Sequence, residues 1–308
     1  MVLLVFWTLA GCNRLGPAAM QAERFNYNVS VQRTNDEQLL LNLVRLKYRD
    51  TPFFLEVSSV ASQLSAGANA NASASLARNM ADVFGLGLGA NYQERPTITY
   101  SPLQGDKFIQ RVLAPVTLET LSLLYHSGWR VDRLFLMCLQ RLQNLKNAPR
   151  AASPTPSNVP VYREFADAAR LLESLQERDV LEVALDNHPP APRLIIGISE
   201  NAADWPEVAQ LSRALGFDSP RTRFVLSTGN ASNDPGYVRI VTRSLLGIMF
   251  YLSQAVEAPL RDQEQGKVTL TKYPSGEIFD WSQVTGGLLR IQSQDSAPDT
   301  ASVSVNYR

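Results

Sequence analysis

No apolar run in this 308-residue chain reaches the 18 residues that a membrane-spanning helix needs. The longest candidate, Leu245 to Val256, is broken by polar residues and flanked by Arg243 and Glu257, so a core helix is expected there. A charge surplus is also lacking: Lys plus Arg is 29 and Asp plus Glu is 29. Neutralising phosphates requires a basic excess, which excludes nucleic acid as the main partner. Histidine is nearly absent. His126 and His188 are the only two, and neither has ligand spacing to a Cys or to the other His, so no metal site is expected. A Ser-His-Asp triad would have to use one of them. The stretch Gly197-Ile198-Ser199-Glu200-Asn201 fails the nucleophile-elbow pattern at its last position. Gly85-Leu86-Gly87-Leu88-Gly89-Ala90 has the form of a dinucleotide fingerprint but runs into Asn91–Pro96 rather than a helix, so no helix N-terminus awaits a pyrophosphate. No catalytic residue, cofactor or metal is therefore expected, and the chain does not read as an enzyme.

Cysteine is as scarce as histidine: Cys12 and Cys138 are the only two. Cys138 lies in an apolar helical stripe and reads as a small buried hydrophobe. Cys12 follows Leu9-Ala10-Gly11, behind the short apolar run Val2 to Leu9. Small residues before the Cys are what a signal peptidase requires. This segment resembles the lipobox of bacterial lipoproteins, although nothing before Arg14 is charged where such signals carry basic residues. The resemblance implies a signal peptide over 1–11, a diacylglyceryl and palmitoyl anchor on Cys12, and a periplasm-facing mature chain. Asn13 is not the Asp that retains such proteins in the inner membrane, so the resemblance implies the outer membrane. Several acyl chains hold a bilayer stably where one does so marginally.

The rest of the chain is 45% hydrophobic and 19% charged, the balance of a folded globular protein. An α+β fold is expected, with an N-terminal helical region carrying a long β-hairpin and then a small mixed α/β module. Residues 12–34 are polar with scattered aromatics and are expected to be a lipidated tether. Asn35 then caps a helix whose face is Leu39, Leu40, Leu43, Val44 and Leu46. The charges Arg45, Lys47, Arg49 and Asp50 suit a solvated face or lipid head groups. The helical domain extends over 35–147, with the hairpin inserted at 52–102 and helices at Asp106–Leu113, Pro115–His126 and Val131–Leu145. A Pro-, Ser- and Ala-rich linker over 148–160 is the expected domain boundary. The α+β domain, 161–308, should hold helices at Val161–Glu177, Trp205–Leu215 and Val241–Val256. Its strands are expected at Val180–Leu185, Leu194–Ile198, Arg223–Leu226, and near Val268–Leu270, Leu288–Ile291 and Val303–Tyr307. Trp129, Trp205 and Trp281 suit core or interface anchors.

The composition changes abruptly between Pro52 and Pro102. No charge occurs from Val57 to Ala77. Leu64, Ala66, Ala68, Ala70, Ala72, Ala74 and Leu76 form one column, and Ser65, Gly67, Asn69, Asn71, Ser73 and Ser75 the other. After a polar turn, Phe84, Leu86, Leu88, Ala90 and Tyr92 alternate with Gly85, Gly87, Gly89 and Asn91. Strict period two, with apolar and polar columns and aromatics eight positions apart, matches a transmembrane β-hairpin. Two strands cannot close a barrel, so such a hairpin requires a ring of copies. The same residues also suit a soluble assembly hairpin or a mobile loop.

Two resemblances accompany this pattern. The stretch Glu37-Gln-Leu-Leu-Leu-Asn-Leu-Val-Arg-Leu-Lys-Tyr-Arg-Asp-Thr-Pro-Phe-Phe-Leu-Glu-Val57 resembles a segment of uncharacterised proteobacterial lipoproteins, which implies compartment and no activity. The general plan, rather than any motif, resembles ring-forming, hairpin-donating secretion lipoproteins such as the curli export channel. The expected function is a lipid-anchored outer-membrane homo-oligomer that donates its hairpin to a pore or assembly ring. The alternative is a non-enzymatic periplasmic adaptor that docks an envelope or secretion complex. Membrane lipid is the expected partner in both.

Overall fold

The computed structural model describes residues 15–75, 83–152, 158–188, 191–229 and 234–307. The lipobox and Cys12 lie outside them. The fold is α+β. Helix α1, Leu15–Lys47, runs unbroken for 33 residues, so the helix does not begin at Asn35 as expected and the tether reading of 12–34 fails for its described part. The physical reason is local: after Pro17, tolerated in the first turn, no Pro or Gly interrupts the segment. Arg33 bonds Glu37 at 3.1 Å across the expected start. The helix closes in a Schellman motif, with Asp50 N–H donating to Arg45 O at 2.8 Å and Arg49 N–H to Leu46 O at 3.1 Å. Arg49 takes the left-handed position (φ 68°). Its guanidinium donates to the carbonyls of Gly266 and Lys267 at 2.8 and 3.2 Å.

Strands β1, Leu55–Ser75, and β2, Val83–Pro102, form a two-stranded antiparallel ribbon, and Phe53–Gln104 is a compact unit of its own. The remainder groups into the second unit. Helices α2 (Asp106–Leu113), α3 (Leu118–His126) and α4 (Val131–Cys138) follow. Then come β3 (Leu139–Leu142), β4 (Leu145–Lys146), α5 (Arg163–Glu177), β5 (Leu181–Asp186) and β6 (Arg193–Ile198). The body ends with α6 (Pro206–Ala214), β7 (Arg223–Ser227), β8 (Tyr237–Thr242), α7 (Leu245–Ser253) and two short helices, α8 (Leu260–Glu264) and α9 (Ser282–Thr285).

One six-stranded mixed sheet, ordered β4-β3-β8-β7-β6-β5, takes strands from both sides of residues 148–160. A single core joins Leu121, Phe135 and Leu142 to Phe165, Leu172, Ile196 and Leu211. The expected boundary at 148–160 therefore does not divide the chain. Ala148 and Ala151, within it, are fully buried beside Tyr251, Phe279 and Trp281.

The third expected helix, Val131–Leu145, stops at Cys138. Its Leu139, Leu142 and Leu145 have helical spacing, but pairing of β3 with β8 prevails over that local pattern. The helix end is held by one buried cation. Arg243, with no exposed surface, donates through one terminal nitrogen to the carbonyls of Leu136, Met137 and Leu139 at 2.8–2.9 Å. Its backbone N–H takes Cys138 O at 2.7 Å, and Leu139 N–H takes Phe135 O. Asn147 Nδ2 adds bonds to Leu136 O and Leu139 O. All four carbonyls that a helix ordinarily leaves unpaired are thus satisfied. The cation sits at the negative end of the helix dipole and over the Tyr251 ring, 4.1 Å from its centroid. Burial lowers the guanidinium pKa to about 10.

Strand β8 was not expected. Val238, Ile240 and Thr242 alternate inward, and the helix expected from Val241 starts only at Leu245, where Ser244 Oγ accepts from Gly247 N–H at 3.1 Å. The strands expected near 268–270, 288–291 and 303–307 do not form. Only isolated bridges occur in and beside them, Val256 with Ile291 and Lys272 with Ile278.

Candidate functional site

The hairpin residues singled out by the sequence fall on β1 and β2, apart from Leu76, which lies outside the described residues together with the turn. The strands are 21 and 20 residues long, about twice the expected ten. The backbone register sets Ala66 opposite Tyr92, Ala68 opposite Ala90, Ala70 opposite Leu88, Ala72 opposite Leu86, and Ala74 opposite Phe84. Directly opposed residues belong to one face of a ribbon. The two apolar columns read from separate stretches of sequence therefore merge into one. Gly67, Asn69, Asn71 and Ser73 are opposed by Asn91, Gly89, Gly87 and Gly85, which merges the two polar columns in the same way. A one-residue slip would have mixed them. Leu64 departs, standing opposite Glu94.

The half of the ribbon nearer its ends was not foreseen as part of this pattern. Val57 and Val60 are three positions apart, which breaks period two. The register explains the break. Val57 pairs with Tyr100 and Ser59 with Thr99, so Ser58 is an extra residue in a β-bulge. The bulge shifts β1 by one position and brings Leu55 and Val57 into the column of Val60, Leu64 and Ala66. Ser58 Oγ fastens it, donating to Thr99 O at 3.1 Å. The three-residue spacing was the available signal. Val60, Ile98 and Tyr100 are exposed by 38%, 39% and 47%.

The two halves differ in charge. Glu56, Glu94 and Arg95 are the only charged residues of the two strands. From the Ser65–Gln93 pair to the Ser75–Val83 pair there is none. Those ten steps cover roughly 33 Å along the strand, or about 25 Å of depth at about 40° of tilt.

Elsewhere the chemically versatile groups are committed to structure. The Cys138 thiol is buried and its pKa is pushed up to about 11 by desolvation. His188 Nδ1 contacts the Asp186 carboxylate at 2.5 Å on the surface, and His126 packs edge-on to Tyr125. The cationic end of α1 is neither fully solvated nor free. Lys47 reaches Gln254 Oε1 at 3.4 Å, and burial lowers its pKa to about 8. Tyr48 donates to Asp262 at 2.7 Å. Trp281 is buried and donates to Thr271 Oγ1 at 3.0 Å, Trp205 stacks under Arg178, and Trp129 is exposed. No group of three or more His, Cys, Asp or Glu side chains is placed to hold a metal among the described residues. No described helix is long and apolar enough to cross a membrane.

No protein-family model, no curated protein and no solved structure matches this chain.

Proposed function

We propose that the protein is a lipid-anchored outer-membrane component, held through Cys12, that oligomerises and donates its β1–β2 ribbon to a membrane pore or assembly ring. The observation that carries this reading is the register. Five consecutive apolar pairs and the alternating Ser, Asn and Gly pairs segregate to two columns over a charge-free length matched to an outer-membrane apolar band. Phe84 and Tyr92 stand at the two ends of that band, where aromatic girdles belong. The apolar column would meet lipid and the polar column a water-filled lumen. A lone ribbon in lipid leaves both edges unpaired at several kcal/mol per backbone group, so the reading requires other copies.

The test is deletion of residues 64–92. Detergent-extracted complexes of the native and deleted chains are sized, and both are assayed for conductance in planar bilayers. The expected result is a large conducting complex that the deletion reduces to a non-conducting monomer. A native monomer without conductance would contradict the proposal and favour a periplasmic adaptor docking an envelope complex.

A further inference from the structure

We infer that strand addition to the ribbon is confined to its distal half, where the outer edge of β2 in one copy pairs with the outer edge of β1 in the next. This rests on the proposed oligomeric function and specifies the contact that builds it.

The hydrogen-bond phase of β2 follows from two contacts. Leu103 N–H donates to Phe54 O at 2.9 Å, and Thr99 O accepts from Ser58 Oγ. Backbone groups on a strand point alternately to either side. Odd-numbered β2 residues therefore point towards β1 and even-numbered ones away from it. Pro96 and Pro102 are both even. Their missing N–H groups cost the internal ladder nothing and leave gaps in the outer edge. The β1 edge of the same half carries the Ser58 bulge, and the charges Glu56, Glu94 and Arg95 stand at or beyond its limit. Proline, bulge and charge are the devices by which sheets prevent unwanted strand addition. All of them lie between Leu55 and Leu64 or between Glu94 and Pro102.

The distal strand segments, Ser65–Ser75 and Val83–Gln93, have none. Phe84, Leu86, Leu88, Ala90 and Tyr92 direct backbone donors and acceptors outward on β2, and Ala66 to Ala74 do so at alternate positions on β1. Among the described residues, no third strand joins this two-stranded sheet. A second copy is the occupant that satisfies both edges. Pairing β2 with β2 about a two-fold axis would leave each β1 edge open. Pairing β2 of one copy with β1 of the next is antiparallel throughout and closes a ring.

Proline substitution tests this in the full-length chain, sized by light scattering after detergent extraction. Leu88→Pro removes one outward donor from the open half, and Ile98→Pro removes one from the guarded half. The first should reduce the complex at least tenfold in abundance and the second should leave it at the native level. Copies carrying Leu88→Cys, mixed with copies carrying Cys at one of the even positions 66–74, supply an independent readout in a Cys138→Ala background. A bifunctional maleimide should join unlike copies and not two Leu88→Cys copies. Full assembly of Leu88→Pro, or cross-linking of like copies only, would overturn the edge assignment while leaving the oligomer intact. A native chain that is already monomeric would overturn the proposed function as well.

Discussion

Both β regions of this molecule are written in period two, and they use it for opposite ends. In the body, Leu194, Ile196 and Ile198 of β6 alternate onto a core and are exposed by 5% or less. In the ribbon, Ile98 and Tyr100 of β2 alternate in the same manner and, with Val60 opposite Ile98, remain more than a third exposed. Alternation thus states which residues share a face, and only the presence of covering helices decides whether that face is a core. In the body, α3, α4 and α5 pack on the sheet, and α6 adds Val208 and Leu211 to the same core. The ribbon's matching face has nothing comparable within its own unit. That difference separates a sheet face buried within its own unit from a ribbon on which Val60, Ile98 and Tyr100 stay exposed.

The body is most vulnerable at Arg243. Arg243→Leu removes a donor from the carbonyls of Leu136, Met137, Leu139 and Asn147 and leaves Met137 O and Asn147 O without it at about 1–3 kcal/mol each, so the body should lose roughly 2–6 kcal/mol, read by urea unfolding of the full chain. A loss below about 1 kcal/mol would mean the cap is not the device holding that helix end. Next, Ile196→Ala should cost about 2–4 kcal/mol, because it leaves a cavity in the shared core. The matched change in the ribbon, Ile98→Ala, should move body unfolding by less than about 0.5 kcal/mol. Equal losses at the two sites would erase the contrast between them.

A smaller effect is expected at Lys47, whose ammonium is disfavoured by burial. With its pKa lowered to about 8 from the ordinary 10.5, the folded state bears a penalty that is full below pH 8 and vanishes as pH rises to 10.5. Lys47→Met should therefore raise the unfolding midpoint at pH 7, with the gain shrinking across that window. A gain that grew with pH would reverse the assigned cause. Deleting residues 64–92 should have the least effect, leaving the thermal midpoint of the body within about 1 °C of the native value, since the ribbon is a separate unit.

Much of this was legible in the residues. The ribbon was visible because Ala, Ser, Asn and Gly alternate without charge, a pattern that neither a helix nor an ordinary core produces. Helices α2, α3, α5 and α6 were visible from apolar spacing and flanking Gly or Pro. The misses share one cause, which is that long-range pairing overrides local spacing. Leu139, Leu142 and Leu145 suit a helix until β8 offers a ladder, and β8 was hidden because Val241 adjoins the apolar run of α7. The undivided body was hidden by a Pro- and Ser-rich segment in whose first turn Ala148 and Ala151 are buried. The bulge at Ser58 had one local sign, the three-residue spacing of Val57 and Val60, which acquires its meaning only against the register with β2.

Whether the merged columns separate lipid from water can be read residue by residue. Single cysteines are placed at each position from Ala66 to Ser75 in a Cys138→Ala background, and outer-membrane vesicles are treated with a lipid-soluble and a water-soluble maleimide. Even positions should react with the first reagent and odd positions with the second. Reactivity that does not alternate, or that is confined to the water-soluble reagent at every position, would mean that the ribbon has no lipid-facing column.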